Sequence, residues 1–152
     1  MAANRDQIVE MLQQSYCMEI ETVMNYIANS TNLDGVRAEQ IKQSLAADVL
    51  EEIGHAQQLG QRIKQLGGLL PGSAAVSLGQ QPQPPADTTD VVGVIRGVIA
   101  AEDAACKQYL KIIEVASQGD PVTADLCTRL LADEEEHLVL FKGFLKEYQR
   151  EQ

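Results

Sequence analysis

The stretch "EEIGHAQ", residues 51 to 57, sets Glu52 and His55 three positions apart in the middle of a long helical pattern. Around it, Ile41, Leu45, Asp48, Glu52, His55, Leu59 and Ile63 recur at spacings of three and four. Residues so spaced share one face of a helix. A carboxylate and an imidazole therefore occupy positions where a core wants leucine.

Three further segments carry the same period, and none shows sustained period-two alternation, so the expected class is all-α. The first helix is expected over about residues 4–31, with a seam of Leu12, Tyr16, Glu19, Val23 and Tyr26. The second spans about 36–66 and stops at Gly67-Gly68. The third, about 89–118, aligns Ile95, Ile99, Glu102, Cys106, Tyr109 and Ile113. The fourth opens at "GDPV", where Asp120 can cap free amides and Pro121 suits the first helical position, and runs nearly to the last residue. Short turns make the first pair and the last pair antiparallel hairpins. Between the pairs, residues 67–90 ("GGLLPGSAAVSLGQQPQPPADTTD") are rich in glycine and proline and join neither helix. Some 22 extended residues reach about 70 Å, more than the roughly 45 Å length of each helix. The segment is thus expected to cross the length of the bundle and set the second and third helices parallel. A flexible excursion between antiparallel helices is the alternative.

With 152 residues and 45% apolar content, one domain covering 1–152 is expected. Twelve basic against 22 acidic side chains give a net charge of −10, which repels nucleic acid and anionic lipid and attracts cations. The N-terminal segment lacks a signal-like apolar core, and no run approaches 18 apolar residues. A cytoplasmic protein with no membrane segment is expected. Cys17, Cys106 and Cys127 are an odd number in a helix-rich chain, which suits reduced, buried thiols.

The "EIGH" pair has a counterpart in the fourth helix, where "DEEEHLVL" supplies Glu134 and His137. Residues three apart can offer an oxygen and a nitrogen to one point. Both pairs fall on apolar seams, and the first and third helices each interrupt theirs with one glutamate, Glu19 and Glu102. A tyrosine follows each seven residues later, Tyr26 and Tyr109. Glu21 and Asp103 lie about 200° and 100° round their helices from these glutamates and should leave the seam. From Glu19 to Glu52 is 33 residues and from Glu102 to Glu134 is 32, so the two hairpins share one plan. Four carboxylates and two imidazoles then meet at mid-height. In a low-dielectric core that cluster needs compensation. Two divalent cations balance four carboxylates, and the oxygen and imidazole donors suit iron or manganese and admit zinc.

This double Glu-x-x-His pattern with two partner glutamates resembles the ferritin-like superfamily, most closely its bacterioferritin-type branch, whose di-iron bundles use a ligand set of this kind. The resemblance covers the four helices, the crossover after "GGLLPG" and all six positions. It implies a ferritin-like four-helix bundle in which Glu52 and Glu134 bridge two irons and Glu19 and Glu102 are terminal ligands. His55 and His137 would hold one metal each, with Tyr26 and Tyr109 as hydrogen-bond partners of the glutamates. The implied activity is oxidation of Fe²⁺ by O₂ or H₂O₂, serving iron storage or detoxification in a homo-oligomer, either a dimer or a larger shell. A dimeric di-iron or di-manganese oxidase or peroxidase without a cage is the alternative, and a metal-free helical scaffold a second. The branch binds haem through a methionine after the bridging glutamate, and here that residue is Ile53, so haem is not expected. Only fifteen residues follow His137, without room for the short fifth helix of 24-subunit cages.

Overall fold

The computed structural model describes residues 2–150. Four long helices follow one another: α1 (Ala2–Asn32), α2 (Glu39–Gln65), α3 (Val91–Ala116) and α4 (Pro121–Arg150). Among the described residues there is no strand; two short 3₁₀ turns, Val36–Ala38 and Ser73–Ala75, complete the regular structure. No described helix is long and apolar enough to cross a membrane.

Local chemistry sets the helix ends. Asp120 accepts the Thr123 amide at 3.0 Å, and Asp90 accepts the Gly93 amide at 2.9 Å, so both α3 and α4 start on aspartate caps. At the end of α2, Gly67 takes φ 85°. The Gly68 amide then reaches the Ile63 carbonyl at 2.9 Å and the Gly67 amide that of Lys64 at 3.0 Å, a Schellman closure that needs glycine at the left-handed position. Val36 to Ala38, expected as the first turn of the second helix, form the 3₁₀ turn instead, because Gly35 at φ 104° breaks the helical path just before them.

α1 packs on α2, α3 on α4, and α1 on α3. The Gln108 side chain on α3 donates to the Met11 carbonyl, while Tyr26 near the other end of α1 meets Glu102, so α1 and α3 run antiparallel. Since α2 also runs antiparallel to α1, α2 and α3 are parallel and the crossover arrangement holds. The crossover follows α1 from Gln13, which donates to the Leu69 carbonyl, to Asp34, which accepts from Thr88 at 2.6 Å.

Two apolar clusters fill the bundle. One gathers Ile41, Leu45, Val91, Ile95, Phe141 and Tyr148 at one end. The other gathers Ile8, Leu12, Leu59, Ile63, Ile112 and Leu130 at the opposite end. Each such buried aliphatic side chain contributes about 1.5–3 kcal/mol. Between the clusters lies a polar layer at mid-height. The expected seams hold with a small drift: Tyr16, Val23, Ile99 and Ile113 are half-buried, and Val98 and Ile112 are core in the last two's stead.

Candidate metal centre

The polar layer consists of Glu19 from α1, Glu52 and His55 from α2, Glu102 from α3, and Glu134 and His137 from α4, all buried. All six residues singled out by spacing are therefore brought together. They form two overlapping groups whose ligand-type atoms lie within 4.8 Å of one another: Glu19, Glu52, His55 and Glu134, and Glu52, Glu102, Glu134 and His137. Glu52 and Glu134 belong to both groups.

The geometry has an internal twofold character. His55 Nδ1 lies 2.8 Å from Glu134, 3.6 Å from Glu52 and 3.8 Å from Glu19. His137 Nδ1 lies 3.1 Å from Glu52, 3.7 Å from Glu134 and 3.9 Å from Glu102. Each imidazole thus approaches most closely the shared glutamate of the other hairpin. The outer nitrogens are held separately. His55 Nε2 meets Asp133 at 2.9 Å, and His137 Nε2 meets Glu51 at 2.8 Å. Tyr109 donates to Glu19 at 2.6 Å, and Tyr26 donates to Glu102. The tyrosines accordingly serve the glutamate of the opposite hairpin, not their own.

Asp133 and Glu51 did not stand out in the sequence, although a signal exists: each is the acid directly before a shared glutamate, in "EEIGH" and "DEEEH". Glu21 leaves the seam as expected from its angle, yet it is buried, because its carboxylate accepts the backbone amides of Gln80 and Gln81 in the crossover. Asp103 turns outward to Lys107 at 2.7 Å. The three cysteines are unpaired, Cys106 and Cys127 buried and Cys17 half-buried. Burial pushes the Cys127 thiol up to about 12, which keeps it unreactive.

Burial also dominates the electrostatics of the cluster. It pushes the Glu19 carboxyl up to about 8, with the neighbouring Glu52 charge adding to the rise. Burial alone would lower His55, but its contacts with Glu134, Glu19 and Glu52 outweigh that and carry the imidazole well above its usual value. The same opposition, with Glu134 and Glu52 foremost among the partners, takes His137 up to about 12. Burial and the charge of Glu52 raise the Tyr26 phenol, and burial with the charge of Glu19 raises Tyr109. Both hydroxyls therefore remain donors.

Seven buried atoms of the layer make no hydrogen bond: Glu19 Oε2, both oxygens of Glu52, Glu102 Oε2, Glu134 Oε1 and the two Nδ1 atoms. Their close approaches to one another lack hydrogen-bond alignment. Leaving a buried polar atom unsatisfied costs about 1–3 kcal/mol, so seven of them converging on one layer need a common partner. Carboxylate oxygen with imidazole nitrogen is a donor set for divalent first-row cations, and two ions sharing Glu52 and Glu134 would engage all seven. The residues fit a dinuclear metal centre. Asp133 and Glu51 would then fix the tautomer and orientation of the ligating histidines, as outer carboxylates do at metal sites.

Comparison with known proteins bears on the family and the fold. Residues 9–151 match the family model for the ferritin-like domain. The bacterioferritin of Desulfovibrio desulfuricans is 28% identical over 155 residues, covering 94% of this chain and 79% of that protein. Its X-ray structure, described with a diiron site in different catalytic states, superposes with a TM-score of 0.80 and 24% identity over 97% of this chain and 83% of that one. A ferritin-like, diiron-carboxylate protein from Bacillus anthracis superposes with a TM-score of 0.84 and 21% identity, over 95% of this chain and 99% of that one. The dodecameric thioferritin of Bacteroides fragilis gives a TM-score of 0.88 and 20% identity, over 96% of this chain and 88% of that one.

Proposed function

We propose, from the premise that this chain belongs to the ferritin family of ferritin-like domains, that it oxidises Fe²⁺ with O₂ or H₂O₂ at a dinuclear centre and serves iron storage or detoxification. The observation that carries the reading is the set of seven unpartnered buried ligand atoms converging on the layer between the two apolar clusters. Glu52 and Glu134 would each reach both ions, Glu19 and Glu102 would each reach one, and His55 and His137 would each ligate through Nδ1. Manganese or zinc suits the same donors.

A bound pair of Fe²⁺ ions supplies the two electrons that reduce one O₂ to H₂O₂, or one H₂O₂ to two waters, with uptake of two protons and release of two Fe³⁺. The chain's residues tune that exchange. Four anionic carboxylates favour the ferric product because they neutralise its extra charge. Asp133 and Glu51 hold the imidazoles in place through Nε2, and Tyr109 and Tyr26 hold one oxygen of Glu19 and of Glu102, which leaves the other free for a metal. The protons that Glu19 and the imidazoles carry before loading leave when cations enter.

Anaerobic titration with Fe²⁺, followed by mixing with O₂ or H₂O₂, tests the proposal. Two irons per chain and a ferric absorbance that depends on Glu52 and Glu134 are expected. Binding of no iron, or equal oxidation by Glu52→Ala and Glu134→Ala, overturns it. Native mass then separates storage from the alternative: a shell of a dozen or more subunits retaining hundreds of irons supports storage. A dimer holding two metals per chain points to a small oxidase or peroxidase.

A further inference from the structure

The centre has two sides of opposite character. Between α2 and α4 the outer nitrogens of both histidines face Asp48, Glu51 and Asp133, of which Glu51 and Asp133 are well exposed. Acids gathered on one side draw cations. On the far side, between α1 and α3, lies a narrow cavity of about 20 Å³. Asn25 and Tyr26 bound it from α1, Gly97 and Ala101 from α3, and Gln81 and Pro82 of the crossover roof it.

Four features of this cavity point to a guest. First, no acid or base lines it, in contrast to the acids on the opposite side. Second, its volume suits one molecule of about the size of water. Third, it abuts a residue that touches the centre: Tyr26, which lines it, donates to Glu102. Fourth, Asn25 Nδ2 is buried without a hydrogen-bond partner, a donor that a small polar guest can satisfy. Gly97 supplies the space. A Cβ there would stand 3.4 Å from Pro82 Cβ and close the gap between helix and roof.

The roof is held by polar groups. Glu21 accepts the amides of Gln80 and Gln81, and the Gln81 side chain donates to the Met18 carbonyl at 3.0 Å and to Thr22 at 2.9 Å. Hydrogen bonds of this kind can exchange with water at little net cost, unlike an interdigitated apolar lid.

We propose that the cavity beneath Gln81 and Pro82 is the passage by which a small neutral oxidant reaches the Tyr26–Glu102 side of the centre, away from the acids gathered around the two histidines. The inference rests on the proposed oxidation of iron. H₂O₂ can accept from Asn25 Nδ2, whereas O₂ matches only the small, uncharged space, and separate kinetic arms distinguish them.

The tests plug and loosen the passage. Gly97→Val fills it from α3, while Glu21→Gln weakens the roof without touching the six ligands. After anaerobic loading with Fe²⁺, Gly97→Val is expected to lower the second-order rate constant for O₂, H₂O₂ or both by about tenfold, with iron stoichiometry unchanged. A fall with one oxidant alone identifies that oxidant as the guest. Glu21→Gln should raise the affected constant and speed amide exchange at Gln80 and Gln81 in metal-free protein. Dissolved O₂ supplies a readout independent of iron: in metal-free protein it should broaden the Ala101 methyl resonance by paramagnetic relaxation, and Gly97→Val should reduce that broadening if O₂ is the guest. The proposal is overturned if Gly97→Val changes neither rate constant, or if iron binding falls with them, since the substitution would then act on the centre itself. Should the wild type bind iron and oxidise none, the functional reading fails, and absence of Ala101 broadening in the same protein would remove O₂ from the passage as well.

Discussion

Filling the centre with two divalent ions at pH 7 should release about three protons per chain. The count comes from the cluster itself. A carboxyl with a pKa of about 8 is roughly nine-tenths protonated at pH 7, and that is Glu19. His55, raised well above its usual value, and His137, raised to about 12, each carry a further proton. In the metal-free protein these protons do part of the compensating that cations take over. Each proton released makes the joint binding constant of the two ions rise about tenfold per pH unit, or about 10³ for three. Calorimetric titration with Mn²⁺ in two buffers of different ionisation enthalpy, without oxidant, measures the number directly. Moving to pH 8.5, where Glu19 is mostly ionised, should bring it toward two. All three shifts have one sign. Each group's pKa is higher folded than unfolded, so the stability they add is present below about pH 4.5 for Glu19 and about 6.5 for the histidines. It drains away as pH rises toward the folded values, and the metal-free protein should therefore lose stability between pH 5 and 8. Release of less than one proton per chain on filling both sites would refute this reasoning, because Glu19, His55 and His137 would then already be deprotonated before ions arrive.

Three other outcomes follow from the same arrangement. Metal analysis after dialysis should find that Glu52→Ala or Glu134→Ala loses both ions, whereas Glu19→Ala or Glu102→Ala loses one, since only the first two belong to both ligand groups. Equilibrium titration of Glu51→Ala or Asp133→Ala should show affinity weakened about 10- to 100-fold at one site, the His137 site for Glu51 and the His55 site for Asp133. Asp120→Ala removes the cap of α4 and the 2.8 Å partner of Arg62. It should cost about 1 kcal/mol, or roughly 2–4 °C in melting temperature. Burial raises the Asp120 carboxyl, but bonds from Thr123 and Arg62 outweigh it and hold the group below its usual value. The wild type's advantage over the variant is thus full above the unfolded pKa and vanishes as pH falls through the lower folded one, which thermal scans across acid pH can follow.

Much of the fold was legible because burial in a bundle is periodic. A seam of Leu45, Glu52, His55, Leu59 and Ile63 states which face points inward, and a charged residue on that face has to be explained by a partner inside. Spacing alone also placed Glu19 and Glu102 at the same height as the two Glu-x-x-His pairs. Glu51 and Asp133 were harder. One position from a seam residue is about 100° round the helix, which reads as surface, and both are indeed exposed at about two-fifths of their side-chain area. What makes them part of the centre is the neighbouring helix, whose histidine turns its outer nitrogen toward them, and no single-helix period encodes that. Glu21 was illegible for a related reason. Its partners are backbone amides of the crossover, and a segment of glycine, proline and glutamine carries no period from which its seat on α1 could be read.

The pattern of partners carries a further consequence for how the bundle coheres. Tyr109 to Glu19, Tyr26 to Glu102, Glu51 to His137 and Asp133 to His55 all join one hairpin to the other. A hairpin alone presents two glutamates and one histidine, half of a centre, with a tyrosine whose acceptor lies elsewhere. The polar layer is therefore the mating surface of two like halves. Apolar clusters at either end bring the halves together without specifying register, since Leu or Ile packs about as well one turn along. Buried hydrogen bonds specify it: sliding one hairpin by a turn would strand two phenols, two outer histidine nitrogens and four carboxylates at once. Ions shared by Glu52 and Glu134 would add to this by drawing ligands from α2 and α4, whose backbones pack less closely than α1 on α2 or α3 on α4. The residues that bind metal are on that account also the ones that align the fold, which is why a cluster so costly without ions can still sit at the centre of the core.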